Sequence, residues 1–520
     1  MADKIIQHPV WSDITDMISD FSVEQMKPQG LDLRDFGQVS AMAHKIYYYL
    51  AYKLMPLGVP WSDEKIQTFN NWLIDGCPKD EAHREQLKSE QNEKISQSGL
   101  RVRKDIHDLT DDEEKLLIKA FKGLMDRDPK SASEYDPNDK SYFSIAGTHW
   151  YPAPTFCQHH IYNYLPWHRF YLIQFEDALR SVPGCEEVTL PYWNIEESET
   201  IPEFFNKDPF KNYTFPIDVY PDYYKPPVNM GKAGTVTERN KTLGFFAQIK
   251  SNINTAMSAT TWNHYNGISN YQYNSSQSII RAHDLGHNGS GPAMADQDIA
   301  SFDPIFWFFH CNWDRLWWDW QKSRNATDLD GFKKTLSEDD DQRWLTDPQM
   351  SISDPFGKHN YESIDSHELG ITYEEPQSSG GPKLMASNMP LAMAPTWREH
   401  NRGQSNKSSF KLSQNNIGQV SLRVKDINRI KIPGSFWVVL HLDGEEIGRD
   451  AFFQSTFSGN CENCVAQAHV HFDFIFDLDL LTDEDGNSKE VKVEIVNAVT
   501  GEKHDFDKIG EPTINIRLLH

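Results

Sequence analysis

Two triplets of histidine constrain this chain more tightly than any other feature. His149, His159 and His168 lie in GTHWYPAPTFCQHHIYNYLPWHRFYLIQFEDAL, and His283, His287 and His310 lie in RAHDLGH and SFDPIFWFFHCNWDRLWWDW. Each triplet ends on an aromatic-rich segment of helical period. After Pro166, His168, Leu172, Phe175 and Leu179 follow at spacings of four, three and four. After Asp303-Pro304, a cap and first-position proline in the favoured order, Phe306, His310, Trp313 and Trp317 form one stripe. Each helix therefore offers one imidazole from an otherwise apolar face. His283 and His287, spaced HxxxH, project from one helix face a turn apart, as chelation requires.

Taken alone, each feature has a plainer explanation. Helical histidine pairs are often incidental. His310 among Trp307, Trp313, Trp317 and Trp318 reads equally as a core histidine, and Asp303 and Arg315 read as a helix cap and an ion-pair partner. Together the features indicate metal. Three imidazoles per site, with no thiolate or carboxylate, suit copper, zinc or iron. The HxxxH of a zinc protease needs Glu directly after its first His; here that residue is Asp284, and Gly286 interrupts the apolar face. Paired-metal hydrolases usually carry a bridging carboxylate, so two all-imidazole sets favour redox copper. His159 and His160 are adjacent, and spacing does not choose between them. Glu176, two turns after His168, is placed to orient an imidazole.

The 520 residues exceed the size at which single cores stop growing, so two or three domains are expected. A net charge of −25 makes nucleic acid and anionic membranes poor partners. The sequence lacks both a run of about 18 apolar residues and a signal-peptide core, and six cysteines are too few for a disulfide scaffold. A cytoplasmic protein is the simplest expectation.

Residues 1–130 read as a helical N-terminal extension, where Ser62 caps one helix and Thr110 with Glu113 forms a capping box on another. Residues 131–350 read as the core that carries both triplets, and 351–409, with QSSGGPK and MASNMPLAMAPTW, read as a linker. From 410 to 520 the period-two runs VSLRVKDI, SFWVVLHLDG, AHVHFDFIFDLDLL, VKVEIVNAV and TINIRLL indicate a β-sandwich.

The segment from about 145 to 320 resembles the type 3 copper proteins, namely tyrosinases, catechol oxidases and molluscan haemocyanins. The motifs are Cys157-x-His159 before PWHR, Glu176 of FE, PYW at 191–193, HxxxH, DPIFW and NWDRLWWDW. The resemblance implies a mainly α fold: a four-helix-bundle dicopper core with the helical extension and the β-sandwich around it. It implies two copper ions, one on His149, His159 and His168 and the other on His283, His287 and His310. It also implies a thioether between Cys157 and His159, which selects His159 over His160. The position before His310, often a second His in the family, is Phe309. The implied activity is oxidation of phenols and catechols to o-quinones with O2, with ortho-hydroxylation of monophenols in a tyrosinase. The alternatives are a catechol or o-aminophenol oxidase with little monophenolase activity, and a haemocyanin-like O2-binding protein. Partners are then O2 and small phenols, with a homo-oligomer left open.

The C-terminal region resembles the lid domain of fungal and some bacterial tyrosinases, which implies latency. Phe453 or Phe457, in FFQSTF, is the candidate plug. Cys461-x-x-Cys464, followed by His469 and His471, resembles a motif linked to copper loading, with structural zinc and redox chemistry as other meanings. Two departures bear on substrate choice. Many tyrosinases carry a Glu shortly before the first histidine of the second triplet, yet no acid occurs between Arg239 and Asp284. Asp284 stands where monophenol hydroxylators often have Asn, so it is the candidate to assist phenol deprotonation, or only to orient His283. Asn288, directly after His287, matches a position that influences substrate choice, or only turns the chain.

Overall fold

In the computed structural model the described residues are 4–6, 8–51, 55–56, 60–87, 89, 99–129, 139–149, 156, 159–197, 199–220, 230–269, 272–273, 278–336, 344–345, 352–353, 355–374, 407–408, 419–460, 464–465, 467–481 and 489–519. The aromatic stripes of the sequence form helices, and the helices bury them against one another. In the N-terminal region, α1 (Asp63–Ile74) starts where Ser62 Oγ accepts the Lys65 N–H, and stops at Gly76, whose φ of 78° suits glycine. Its Ile66, Phe69 and Trp72 pack with Ile14, Val39 and Tyr47 in a small core of their own. The next helix, α2 (Asp111–Met125), has the expected capping box. Its Leu117, Phe121 and Leu124 belong instead to the main core, against the helix that carries His168.

The main core is built from α3 (Tyr142–Gly147), α4 (Tyr164–Arg180), α5 (Phe246–Ser258), α6 (Ile279–Ser290) and α7 (Ile305–Ser323). Two pairs, α4 with α7 and α5 with α6, supply the four-helix bundle. Helix α4 begins two residues before Pro166, because proline is tolerated in a first turn whose N–H groups lack helical partners. Helix α7 begins at Ile305, one residue past Pro304; Asp303 accepts the Ile305 N–H at 3.2 Å and pairs with Arg239 at 2.6 Å.

Behind α4 and α7 lies a buried ionic cluster. Glu176 does not orient an imidazole. It accepts from Arg103 at 3.1 Å, Arg101 at 3.2 Å and the Leu190 N–H at 2.8 Å. Two helical turns past His168 the side chain points down the bundle to where strand β1 (Arg101–Arg103) brings its arginines, and those pairs hold its carboxyl below the usual range despite burial. Asp314 joins the cluster through Arg169, Arg103 and Tyr373. Strand β1 pairs in parallel with β2 (Ile371–Tyr373). Part of the expected linker is therefore structured, while 375–406 lie outside the described residues.

The C-terminal region forms two antiparallel sheets from β3 (Gln419–Asn428), β4 (Phe436–Leu442), β5 (Glu445–Phe452), β6 (His469–Asp477), β7 (Val491–Asn497) and β8 (Thr513–Leu519). One sheet runs β5–β4–β7, extended by Lys503–His504 and Lys407–Ser408; the other runs β6–β3–β8. Phe436, Phe452 and Phe472 pack between them. Strand β5 escaped the alternation pattern because Glu445, Glu446, Arg449 and Asp450 interrupt its apolar positions. It contacts α6 and leads into Phe453. Among the described residues no helix is long and apolar enough to cross a membrane.

Candidate dinuclear metal site

Six imidazoles converge in the centre of the bundle. In each triplet, His149–His159–His168 and His283–His287–His310, one ligand atom per residue lies within 4.8 Å of the others. Helix α4 supplies His168, α6 supplies His283 and His287, and α7 supplies His310; His149 follows α3, and His159 lies in the loop before α4. The triplets face each other. His168 and His310 stack at 4.3 Å and 5° across α4 and α7, and His159 lies over His283 at 5.3 Å.

Hydrogen bonds set which nitrogen four of the rings turn inward. The Nδ1–H groups of His168, His287 and His149 donate to the carbonyls of Tyr164 (2.8 Å), Met294 (2.8 Å) and Gln297 (3.2 Å). His283 Nδ1 donates to Asp284 Oδ1 at 2.9 Å. Each bond leaves Nε2 with its lone pair, the form that binds metal. Burial, the largest cause, pushes the His168 ring down to about 3 and the other five well below the usual imidazole range. All six are therefore neutral and ligand-competent at ordinary pH.

The donor set fits a metal pair. Among the described residues the buried Nε2 atoms of His149 and His283 have no hydrogen-bond partner, an arrangement that costs about 1–3 kcal/mol per group without a cation. His287 Nε2 faces His310 Nε2 at 3.2 Å. Two imidazoles on one ion, at bonds of about 2.0–2.1 Å and a tetrahedral angle, put their nitrogens about 3.3 Å apart. With only neutral imidazole offered, soft redox copper suits the set better than a hydrolytic ion.

The remaining candidates fall around this centre. Asp284 is buried beside His283; its Oδ2 accepts from His160 Nε2 at 2.8 Å and from the Phe453 N–H at 3.2 Å. Burial raises its carboxyl, against the pull of these donors and of Arg429. His159 is thus the neighbour that joins a triplet, and His160 the one that turns to Asp284. Asn288 donates to the Phe436 carbonyl of β4 at 3.4 Å. Cys157 and Cys461 lie outside the described residues. Cys464 is disulfide-bonded, while Cys77, Cys185 and Cys311 are free.

The sandwich closes the site. Phe453, fully buried, stacks on His287 at 3.8 Å and 14° and stands edge-on to His159 and His283 at 5.2 and 5.7 Å. Phe457 is half-buried, its N–H on Ser455 Oγ. One stripe of α6 faces the sandwich: Arg281 pairs with Asp450, Asp284 holds the Phe453 N–H and Asn288 holds Phe436. The Thr456 N–H adds a bond to Asp298 at 3.3 Å. Sequence reasoning missed the roles of Met294, Gln297 and His160. The first two act through backbone carbonyls, which no residue type encodes.

A helical bundle that gathers three neutral imidazoles on each side of one cavity defines the type 3, dinuclear class of metal protein. Residues 139–323 match the family described as the common central domain of tyrosinase. The chain is 26% identical over 258 residues to a tyrosinase of Hahella sp., a match covering 42% of this chain and 53% of that one. It is 24% identical over 533 residues to a tyrosinase of Aspergillus oryzae, covering 76% of this chain and 91% of the relative. Its structure is similar to a tyrosinase of Burkholderia thailandensis, with a TM-score of 0.54 at 19% identity over 80% of this chain and all of the other. Molluscan haemocyanins are among the similar proteins as well. The family match spans the segment that carries both histidine triplets.

Proposed function

We propose that this protein is a dicopper oxidase that uses O2 to convert phenols and catechols to o-quinones, held latent by its C-terminal sandwich. The observation that carries this reading is the pair of facing imidazole triplets with an aromatic ring already seated on one of them. His149, His159 and His168 would hold one copper ion, and His283, His287 and His310 the other. Copper bound there supplies the binding and reduction of O2. The protein's own part is to keep six imidazoles neutral, aimed and dry, and to admit a flat aromatic molecule beside His287.

Phe453 occupies the place of that molecule, so its withdrawal opens the site. The same movement strips the Phe453 N–H from Asp284 Oδ2 and frees an acceptor near the metal pair. A phenolic O–H reaching this oxygen would be held, and its proton drawn off, where no upstream glutamate is available. Asp284→Asn keeps the shape and loses the basic oxygen. On protein saturated with copper, we expect it to lower the initial rate on tyramine by about 10²-fold, the size of a general-base contribution, with the rate on dopamine little changed. An unchanged ratio of the two rates would leave Asp284 only the task of orienting His283.

Metal analysis with an absorbance scan and a catechol assay tests the whole reading. The expected result is two coppers per chain, a strong near-ultraviolet band in air, and quinone formation from catechol that rises when the sandwich is displaced. Bound zinc without the band would overturn it. The band with no quinone under any condition would make the protein an oxygen carrier.

A further inference from the structure

The histidine left out of both triplets is the most constrained residue around them. His160 is buried, and its backbone sits at φ 55°, in the left-handed region. Strain of this kind costs a non-glycine residue on the order of 1–3 kcal/mol and persists only where surrounding contacts impose it. Two such contacts are a 2.8 Å hydrogen bond from Nε2 to Asp284 Oδ2 and a face-to-face stack on Phe452 of β5 at 4.2 Å and 22°. A plain core histidine would need neither the carboxylate nor the strained turn.

The position of His160 gives these contacts a consequence. It directly follows His159 of the first triplet. Its partner Asp284 directly follows His283 of the second and holds that ring through Oδ1 at 2.9 Å. One carboxylate thus joins the loop of one metal set to a ligand of the other. Without His160, Asp284 would keep the His283 bond and the 3.2 Å bond from the Phe453 N–H but lose its shorter Oδ2 donor, the 2.8 Å bond that ties it to the first triplet's side. Phe452 packs on the outer face of His160, so the sandwich supports the same arrangement from outside.

We propose that His160 is a positioning residue that couples the two metal sites: placing His159 on the first ion fixes the adjacent His160, which holds Asp284 and through it His283 for the second ion. Copper loading should accordingly be cooperative, the first ion preparing the site of the second. The inference rests on the six imidazoles binding two coppers, as proposed above.

The test is chelator competition for Cu(I) on the full-length copper-loaded protein. His160→Phe keeps a ring on Phe452 and removes the donor; His160→Gln restores a donor. Loss of contacts that orient a ligand typically weakens metal binding about 10–100-fold. His160→Phe should weaken the second copper by that factor, leave the first near its wild-type affinity and abolish cooperativity, and His160→Gln should recover most of the loss. Because the effect runs through Asp284, adding His160→Phe to Asp284→Asn should cost little more than Asp284→Asn alone. Near-ultraviolet circular dichroism of each metal-free variant reports the fold separately. The inference is overturned if His160→Phe titrates as the wild type, if both coppers weaken equally in a folded variant, or if the two substitutions add. A wild type that takes up no copper would instead end the oxidase reading.

Discussion

His168→Ala is expected to reduce bound copper from two ions to one per chain and to bring quinone formation below detection. His168 sits at the centre of the assembly: it stacks on His310 at 4.3 Å and lies within 6.4 Å of His149, His159 and His283, measured between ring centres. Its Nδ1–H is held by the Tyr164 carbonyl one turn back on the same helix, so its aim is built into α4. Alanine leaves two imidazoles where three are needed and an unfilled space the size of a ring. The cavity costs about 3–5 kcal/mol, as for other buried aromatic deletions. The dense core around Trp167, Tyr171 and Phe306 should still hold the bundle together. Copper analysis beside a catechol assay measures the effect, with circular dichroism to show the helices intact. A folded variant with two coppers and quinone formation would remove His168 from the ligand set.

Phe453→Ala should act in the opposite direction. The ring is buried against His287, His159 and His283 only while the sandwich is seated. Its deletion therefore weakens the closed state by about 3–5 kcal/mol and leaves the open state nearly untouched. Each 1.4 kcal/mol is a factor of about ten in an equilibrium, so the ratio of open to closed molecules should rise by about 10²- to 4 × 10³-fold, until open molecules dominate. Oxidation of dopamine by the full-length protein should increase correspondingly, with copper content unchanged. Opening also strips the backbone N–H at position 453 from Asp284, so activity on monophenols should rise together with activity on catechols. Equal and unchanged activity on both would mean that the ring does not govern access.

The legible part of this protein was written in periodicity. The stripes His168–Leu172–Phe175–Leu179 and Phe306–His310–Trp313–Trp317 announced two buried helices with one imidazole each, and Thr110 with Glu113 marked a helix start, because caps and apolar faces are local properties. Strand β5 was hidden by its charged residues: Arg449 pairs with Glu446 three residues back, and Asp450 with Arg281, far away in sequence. Glu176 was misread for a related reason: its spacing from His168 was correct, but the arginines that claim it come from a strand more than seventy residues upstream.

The amino-acid sequence alone determined the donor set, three imidazoles twice over without thiolate or carboxylate, because ligand chemistry resides in residue type and helical spacing. Only the tertiary structure turned His160 to Asp284, brought Phe453 onto His287, and aimed His149 and His287 through the carbonyls of Gln297 and Met294. These outcomes depend on where distant backbone segments meet, and backbone carbonyls and strand ends carry no signature in side-chain identity.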